Sequence, residues 1–223
     1  MTMHVVLVHG LWQGGWCWDE VRDRMAGIPC TALDLPMRSL EADAAVLTEV
    51  LDGVDAPVVL VGHSYGGAVV TAAGAHPAVR ELVYLAAFQL DSGESISRTL
   101  PERDIPATRL GAALHVDGDD VALDPVLGRG VLYNRTPADV AEAALARSAP
   151  VARALFRAVP QRFAWRERPS TYVVCAEDRC VHPDLQRAMA ERADRVLEWD
   201  SDHCPQAGRP GDVADLLRDR ASG

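Results

Sequence analysis

Lysine is missing from the chain: all 22 basic residues are arginine. Chemistry that rests on a lysine amine is thereby excluded, including Schiff-base and pyridoxal catalysis and the phosphate-gripping lysine of nucleotide-binding loops. Cysteine is sparse. Its five copies (Cys17, Cys30, Cys175, Cys180 and Cys204) are odd in number, irregular in spacing and include no C-x-x-C pair, which argues against a metal site or a disulfide framework and for reduced thiols in a cytoplasm. The amino terminus, MTMHVVLV, has no basic segment, and its apolar run is too short for a signal peptide or a membrane span. A soluble, cytoplasmic protein is expected. Positive charge is in the minority, 22 basic against 32 acidic residues for a formal net of −10, so phosphate backbones and anionic membrane faces are repelled. Neither nucleic acid nor a membrane is an expected partner.

What is present is a regular alternation. Short continuous apolar runs at 4–8, 30–35, 57–61, 81–87, 170–176 and 195–199 predict strands buried on both faces, as in a parallel sheet covered by helices on both sides. Helical patterns fall between them at 16–25, 40–51, 65–75, 183–192 and 212–220, with Pro77, Pro183 and Pro210 placed to close or open helices. The fold class is therefore α/β, a doubly wound sheet. No repeat or linker divides the 223 residues, so a single domain is expected. One interval, 88–168, breaks the alternation. It contains no convincing parallel strand, and its patterns at 137–147 (capped by Thr136) and 151–159 (opened by Pro150) read as helices. Such an insertion between strands is expected to form a helical cap over the ligand-binding edge of the sheet.

The stretch VVLVGHSYGG, 58–67, is the organising motif. Its strand must turn into a helix within about five residues, which exposes the hydroxyl of Ser64 on a strained turn while Gly62 and Gly66 remove side chains that would collide. A serine hydroxyl becomes nucleophilic only when a base takes its proton and an acid orients the base. In a sheet of this kind those partners follow in the order serine, acid, histidine, each just past a strand end. Asp178 stands directly after STYVVCAE, and His203 follows RVLEWDSD. Glu177, Asp200 and Asp202 compete for the acid's place. Asp178 is preferred for its strand-end position, because Asp200 and Asp202 lie too close to His203 along the chain to reach its far ring nitrogen. His63 points away from its neighbour Ser64 and reads as a structural histidine, His182 as a group supporting the acid, and His76 and His115 as surface residues. A developing oxyanion needs donors, for which the backbone N–H groups of Tyr65, next to the nucleophile, and Leu11, in the glycine-rich loop HGLWQGGW, are the candidates. Gly10 and Trp12 on that loop, with Tyr133, Phe156 and Trp165 in the inserted stretch, are the candidate pocket residues.

With HGLWQGGWCW, GHSYGGAVV, STYVVCAEDRCVHPDLQRAMAERAD and SDHCP in place, the chain resembles the α/β-hydrolase superfamily over nearly its whole length. Within it, the plant-type methylesterase and hydroxynitrile lyase group and its bacterial relatives are most similar. The resemblance implies a six-stranded, mainly parallel sheet in the order 2-1-3-4-5-6, with a cap inserted after the fourth strand. It implies Ser64 as nucleophile, Asp178 as acid, His203 as base, and Leu11 and Tyr65 as oxyanion donors. The lyase branch tends to carry threonine where this chain has Gly10, and a cyanide-holding lysine where it has Cys204, so hydrolysis is favoured. The expected activity is hydrolysis of a small carboxylic ester through an acyl-enzyme, with no metal or organic cofactor. The alternatives are a lyase, cyclase or thioester-release enzyme on the same scaffold, or a small-molecule binder with incidental turnover.

Overall fold

A computed structural model describes residues 2–222. The chain starts with β1 (His4–Val8), a 3-10 turn at Gly15–Trp18, α1 (Asp19–Arg24), β2 (Cys30–Ala32), α2 (Leu40–Asp52), β3 (Val58–His63), α3 (Gly66–Ala73) and β4 (Val79–Leu85). After a long excursion it resumes with β5 (Leu114–Asp117), β6 (Asp120–Leu123), α4 (Pro125–Leu132), α5 (Ala138–Ala146) and β7 (Val151–Ala152). It ends with β8 (Ser170–Cys175), α6 (Pro183–Ala190), β9 (Arg195–Trp199), α7 (Pro205–Gly208) and α8 (Pro210–Ala221).

The main sheet has six strands in the order β2-β1-β3-β4-β8-β9, and every pairing in it is parallel. Counting only these strands, that is the order 2-1-3-4-5-6 implied by the resemblance, with every strand parallel. Period-two geometry explains the continuous apolar runs, since Val6, Val8 and Leu60 face one helical layer while Val5, Leu7, Val59 and Val61 face the other. On the second face, α1 and α8 bring Val21, Val213 and Leu217. On the first, α2 and α3 bring Leu47, Leu51, Val69 and Val70. Ser39 caps α2 by accepting the Ala42 N–H at 3.1 Å, and proline opens both α6 and α8.

The stretch between β4 and β8 departs from the expected all-helical insertion. It carries a three-stranded antiparallel sheet, β5-β6-β7, alongside α4 and α5. Gly118 at φ +57° turns the β5-β6 hairpin, so the Asp-Gly pair 117–118 was a strand signal rather than a loop. The helix expected over 151–159 is instead a short strand followed by a 3-10 turn at Arg153–Arg157. Val151 and Ala152 are taken up by pairing with β6, and Val159, before Pro160, avoids the helical region. Thr136 does not cap α5: that helix has Pro137 at its cap, and the Thr136 hydroxyl donates to Asp202 at 2.9 Å. Apolar residues of the insertion, among them Val121, Leu132 and Leu155, join the same core as β1 and β3.

The tightest packing is where α3 leaves β3. A Cβ on Gly66 would lie 2.5 Å from the Val8 carbonyl oxygen and 2.8 Å from that of His9. Both are backbone atoms and cannot swing aside. Gly66→Ala is expected to cost about 1–3 kcal/mol by overpacking, lowering Tm by roughly 2–4 °C per kcal/mol for a domain of this size. A thermal melt indistinguishable from wild type would show that α3 is free to shift.

Candidate active site

Ser64 occupies the step between β3 and α3 with φ +53°, a left-handed conformation that costs a residue bearing a Cβ about 1–3 kcal/mol. The surroundings hold it there. Its N–H donates to the Leu85 carbonyl (3.2 Å), and its own carbonyl accepts the N–H groups of Gly67 and Phe88 (both 3.0 Å). The β1-β3 register, with Val8 beside Gly62, brings the loop after β1 to the same edge. There a Cβ on Gly10 would meet the Ser64 Cβ at 2.8 Å and its Oγ at 3.3 Å, so only a bare backbone passes this close to the nucleophile candidate. His9 fixes the loop, its Nδ1–H donating to the Gly10 carbonyl (2.8 Å) while Nε2 accepts the Leu35 N–H (3.0 Å). Burial lowers its pKa, consistent with this neutral arrangement.

The other two candidates come from separate loops and meet at Ser64. Asp178 follows β8 and His203 lies between β9 and α7. The Ser64 hydroxyl is 2.9 Å from His203 Nε2, and His203 Nδ1 is 2.6 Å from Asp178 Oδ2. All three residues are buried. A carboxylate only accepts, so Nδ1 carries the proton and Nε2 is left to accept from the serine. Asp178 Oδ1 accepts the N–H groups of Cys180 (2.7 Å) and Val181 (2.9 Å), while Oδ2 also accepts from the Gln186 amide (2.7 Å). Burial pushes the His203 imidazolium toward deprotonation, but the adjoining Asp178 carboxylate and the Cys180 sulfur together outweigh it and hold the pKa well above the usual histidine value. The other histidines stay outside the relay. His63 Nε2–H donates to the His203 carbonyl (2.7 Å), and burial, with His203 nearby, holds its pKa well below normal. Its Nδ1 accepts from the Gln206 amide at 3.2 Å. His182 caps α6, His76 pairs with Asp52, and His115 is exposed on β5. Of the rival acids, Asp202 is taken up by the Arg135 and Thr136 N–H groups, and Asp200 pairs with Arg135.

Tyr65 follows Ser64, Leu11 follows the Gly10 that lies against it, and among the described residues neither N–H donates to another protein group. The Tyr65 side chain is anchored elsewhere, its phenol donating at 2.5 Å to buried Asp43, whose other oxygen accepts the Met37 N–H (2.9 Å). Burial raises the Asp43 pKa against the pull of both hydrogen bonds.

A cavity of about 650 Å³ adjoins this relay, lined by Phe88, Leu100, Phe156, Cys180, Val181 and Leu185 among others. Phe88 touches it through the Ser64 carbonyl, and Cys180 and Val181 through the amides that hold Asp178. Of the five expected pocket residues, only Phe156 lines this cavity. Trp12 lies behind Phe156, ring centroids 6.2 Å apart, with its indole N–H on the Val121 carbonyl. Gly10 contacts Ser64 itself. Tyr133 turns instead into a separate cavity of about 300 Å³, where its hydroxyl accepts from Gln13 at 3.0 Å. Trp165 stays out of this cavity's wall, its indole N–H spent on the Leu90 carbonyl and its ring packed under Arg166 and Arg192. Sequence reading passed over Gln186, Phe88 and the aliphatic wall. Gln186 alone had a signal: Pro183 opens α6 just past the acid, so the first turn points back at it.

Among curated proteins, the chain is 27% identical to Methylesterase 2 of Arabidopsis thaliana over 96% of this chain and 94% of that one. It is 29% identical to Methylesterase 9 of the same plant, covering 96% of each. A carbendazim hydrolyzing esterase of Nocardioides sp. (strain SG-4G) is 38% identical over 44% of this chain and 47% of that one. In three dimensions the fold is shared with polyneuridine aldehyde esterase, at a TM-score of 0.83 and 24% identity with 99% of each chain covered. Residues 5–216 match the alpha/beta hydrolase family, and the chain belongs to it.

Proposed function

We propose that the protein is a carboxylic-ester hydrolase in which Ser64 is the nucleophile, His203 the general base and Asp178 the orienting acid, working beneath a cap formed by 88–168. The observation that carries this reading is the buried relay, 2.9 Å from hydroxyl to imidazole and 2.6 Å from imidazole to carboxylate. It lies beside two backbone N–H groups with no protein partner among the described residues. His203 Nε2 takes the Ser64 proton as Oγ attacks the ester carbonyl, and Asp178 stabilises the resulting imidazolium. The Leu11 and Tyr65 N–H groups meet the oxyanion, usually the largest electrostatic contribution to such a step. The imidazolium protonates the leaving alcohol, then neutral His203 activates the water that releases the acid. No step in this scheme asks for a metal or organic cofactor.

The cavity narrows the substrate. Its lining is mostly aliphatic and aromatic, with Arg98 and Arg103 at its charged positions and no aspartate or glutamate, so it suits an apolar group larger than acetyl and disfavours a cationic one. Esterase relatives support this chemistry, the named substrate of one being carbendazim.

Three outcomes are expected. Wild-type protein reacts with a fluorophosphonate probe, while Ser64→Ala does not react and loses ester turnover by about 10⁴-fold or more. An unlabelled wild type would favour a ligand-binding role. Because the base must be neutral and Asp178 holds its proton more tightly than usual, kcat/KM rises with pH along a limb whose midpoint lies above about 6.5. A flat profile, or a midpoint below that, would sink the assignment of His203. Leu185→Trp, which fills the cavity from a partly exposed position, lowers kcat/KM for branched or aryl acyl esters by about tenfold or more while sparing acetyl esters. Equal effects on both ester classes in chromogenic assays would place the acyl group elsewhere.

A further inference from the structure

Gln186 is fully buried, and its amide orientation follows from its neighbours. The Cys175 N–H, at the end of β8, donates to Oε1 at 2.9 Å, which leaves the NH2 group facing Asp178 Oδ2 (2.7 Å) and the Val181 carbonyl (2.8 Å). Both N–H bonds and the oxygen are thereby used, with no spare group and no mismatch. The amide reaches the same carboxylate oxygen that receives the histidine proton.

We propose that Gln186 is a positioning residue of the relay, holding Asp178 Oδ2 toward His203 and sharing that oxygen with the imidazole. The inference rests on the serine-hydrolase reading above. A hydrogen bond to a charged carboxylate is among the stronger ones, and it favours the ionised form without adding charge of its own. Two backbone amides already fix Oδ1. Without Gln186, Oδ2 has one donor left, the imidazole, and would grip its proton harder while gaining freedom to rotate. One side chain thus ties the end of β8, the acid loop and α6 into a single geometry.

Other titratable groups face the pair and are silent where it titrates. The Cys180 thiol and the His63 ring lie against the imidazole, and Cys175 and Tyr172 lie near the carboxylate. Burial raises both thiols and the phenol and holds His63 neutral. Asp202, next to His203 in sequence, turns its carboxylate to the Arg135 and Thr136 amides.

The test uses two variants and the wild type. Gln186→Met keeps the volume and loses the donor; kcat is expected to fall about 10- to 100-fold at unchanged KM, with the acid limb of kcat/KM moving to higher pH. Gln186→Glu keeps an acceptor for the Cys175 N–H and still donates while its carboxyl is protonated. It should therefore outperform Gln186→Met at the low end of the pH range and lose that advantage as it ionises beside Asp178. In the wild type, which needs no variant to fold, the Gln186 side-chain amide resonances should titrate with the midpoint of kcat/KM. Variants that keep the wild-type acid limb, a loss in Gln186→Met that is the same at every pH, or amide resonances that do not move with His203 would each overturn the inference. Failure of fluorophosphonate labelling in the wild type would instead overturn the underlying reading.

Discussion

The structure turns on one backbone constraint, a serine held in the left-handed region where a parallel strand gives way to a helix. Its φ of +53° is unfavourable by itself, and three neighbouring segments enforce it. Leu85 of β4 fixes its N–H, Phe88 and Gly67 fix its carbonyl, and the loop after β1 presses against its side chain. Each contact depends on β3 lying between β1 and β4 in a parallel register. An antiparallel neighbour would send its loop to the opposite edge. The same register that strains Ser64 therefore brings Gly10, and the loop that carries Leu11, against it.

Around this point the protein is sparing with charge. The chain is acidic overall, at −10, yet the layer behind His203 is built from neutral groups: the amides of Gln13 and Gln206, the Tyr133 phenol, the Cys204 thiol and the His63 ring. Buried Asp43, Asp178 and Asp202 are the exceptions, and Asp178 is matched by four donors. Those donors satisfy the lone pairs of the buried carboxylate without a cation beside it. In the proposed mechanism the proton on His203 is the one that moves, because burial pushes His63, Cys180 and Cys204 away from the working range.

Legibility from sequence followed how local each determinant is. Ser64 was readable because its turn chemistry lies within a few residues, and Asp178 and His203 because each follows a recognisable strand. Resemblance, rather than periodicity, carried the strand order. The insertion was misread in part because β5, β6 and β7 are short and pair only with one another. Tyr133 and Trp165 face away from the cavity beside the relay for a more general reason. A buried indole or phenol must satisfy its own polar tip, and the partners, Leu90 for Trp165 and Gln13 for Tyr133, lie 75 and 120 residues away. Phe156 has no such tip and is free to face the cavity.

Division of labour between sheet and insertion has one point of contact, the first turn of α6. Leu185 there lines the cavity whose other walls come largely from the insertion, and the next residue, Gln186, holds the acid. The far end of the same helix is clasped by a largely buried pair, Arg192 with Glu94, whose carboxylate also receives the Asp91 and Leu100 N–H groups in the segment that enters the insertion. Removing one partner of such a pair strands a charge in low dielectric, so the clasp resists loosening. The cavity wall and the support of Asp178 thus share a single rigid rod. Repacking at Leu185 sufficient to tilt α6 would be felt at the carboxylate, whereas the Ser64 side of the site, anchored to β1 and β4, would stay where it is.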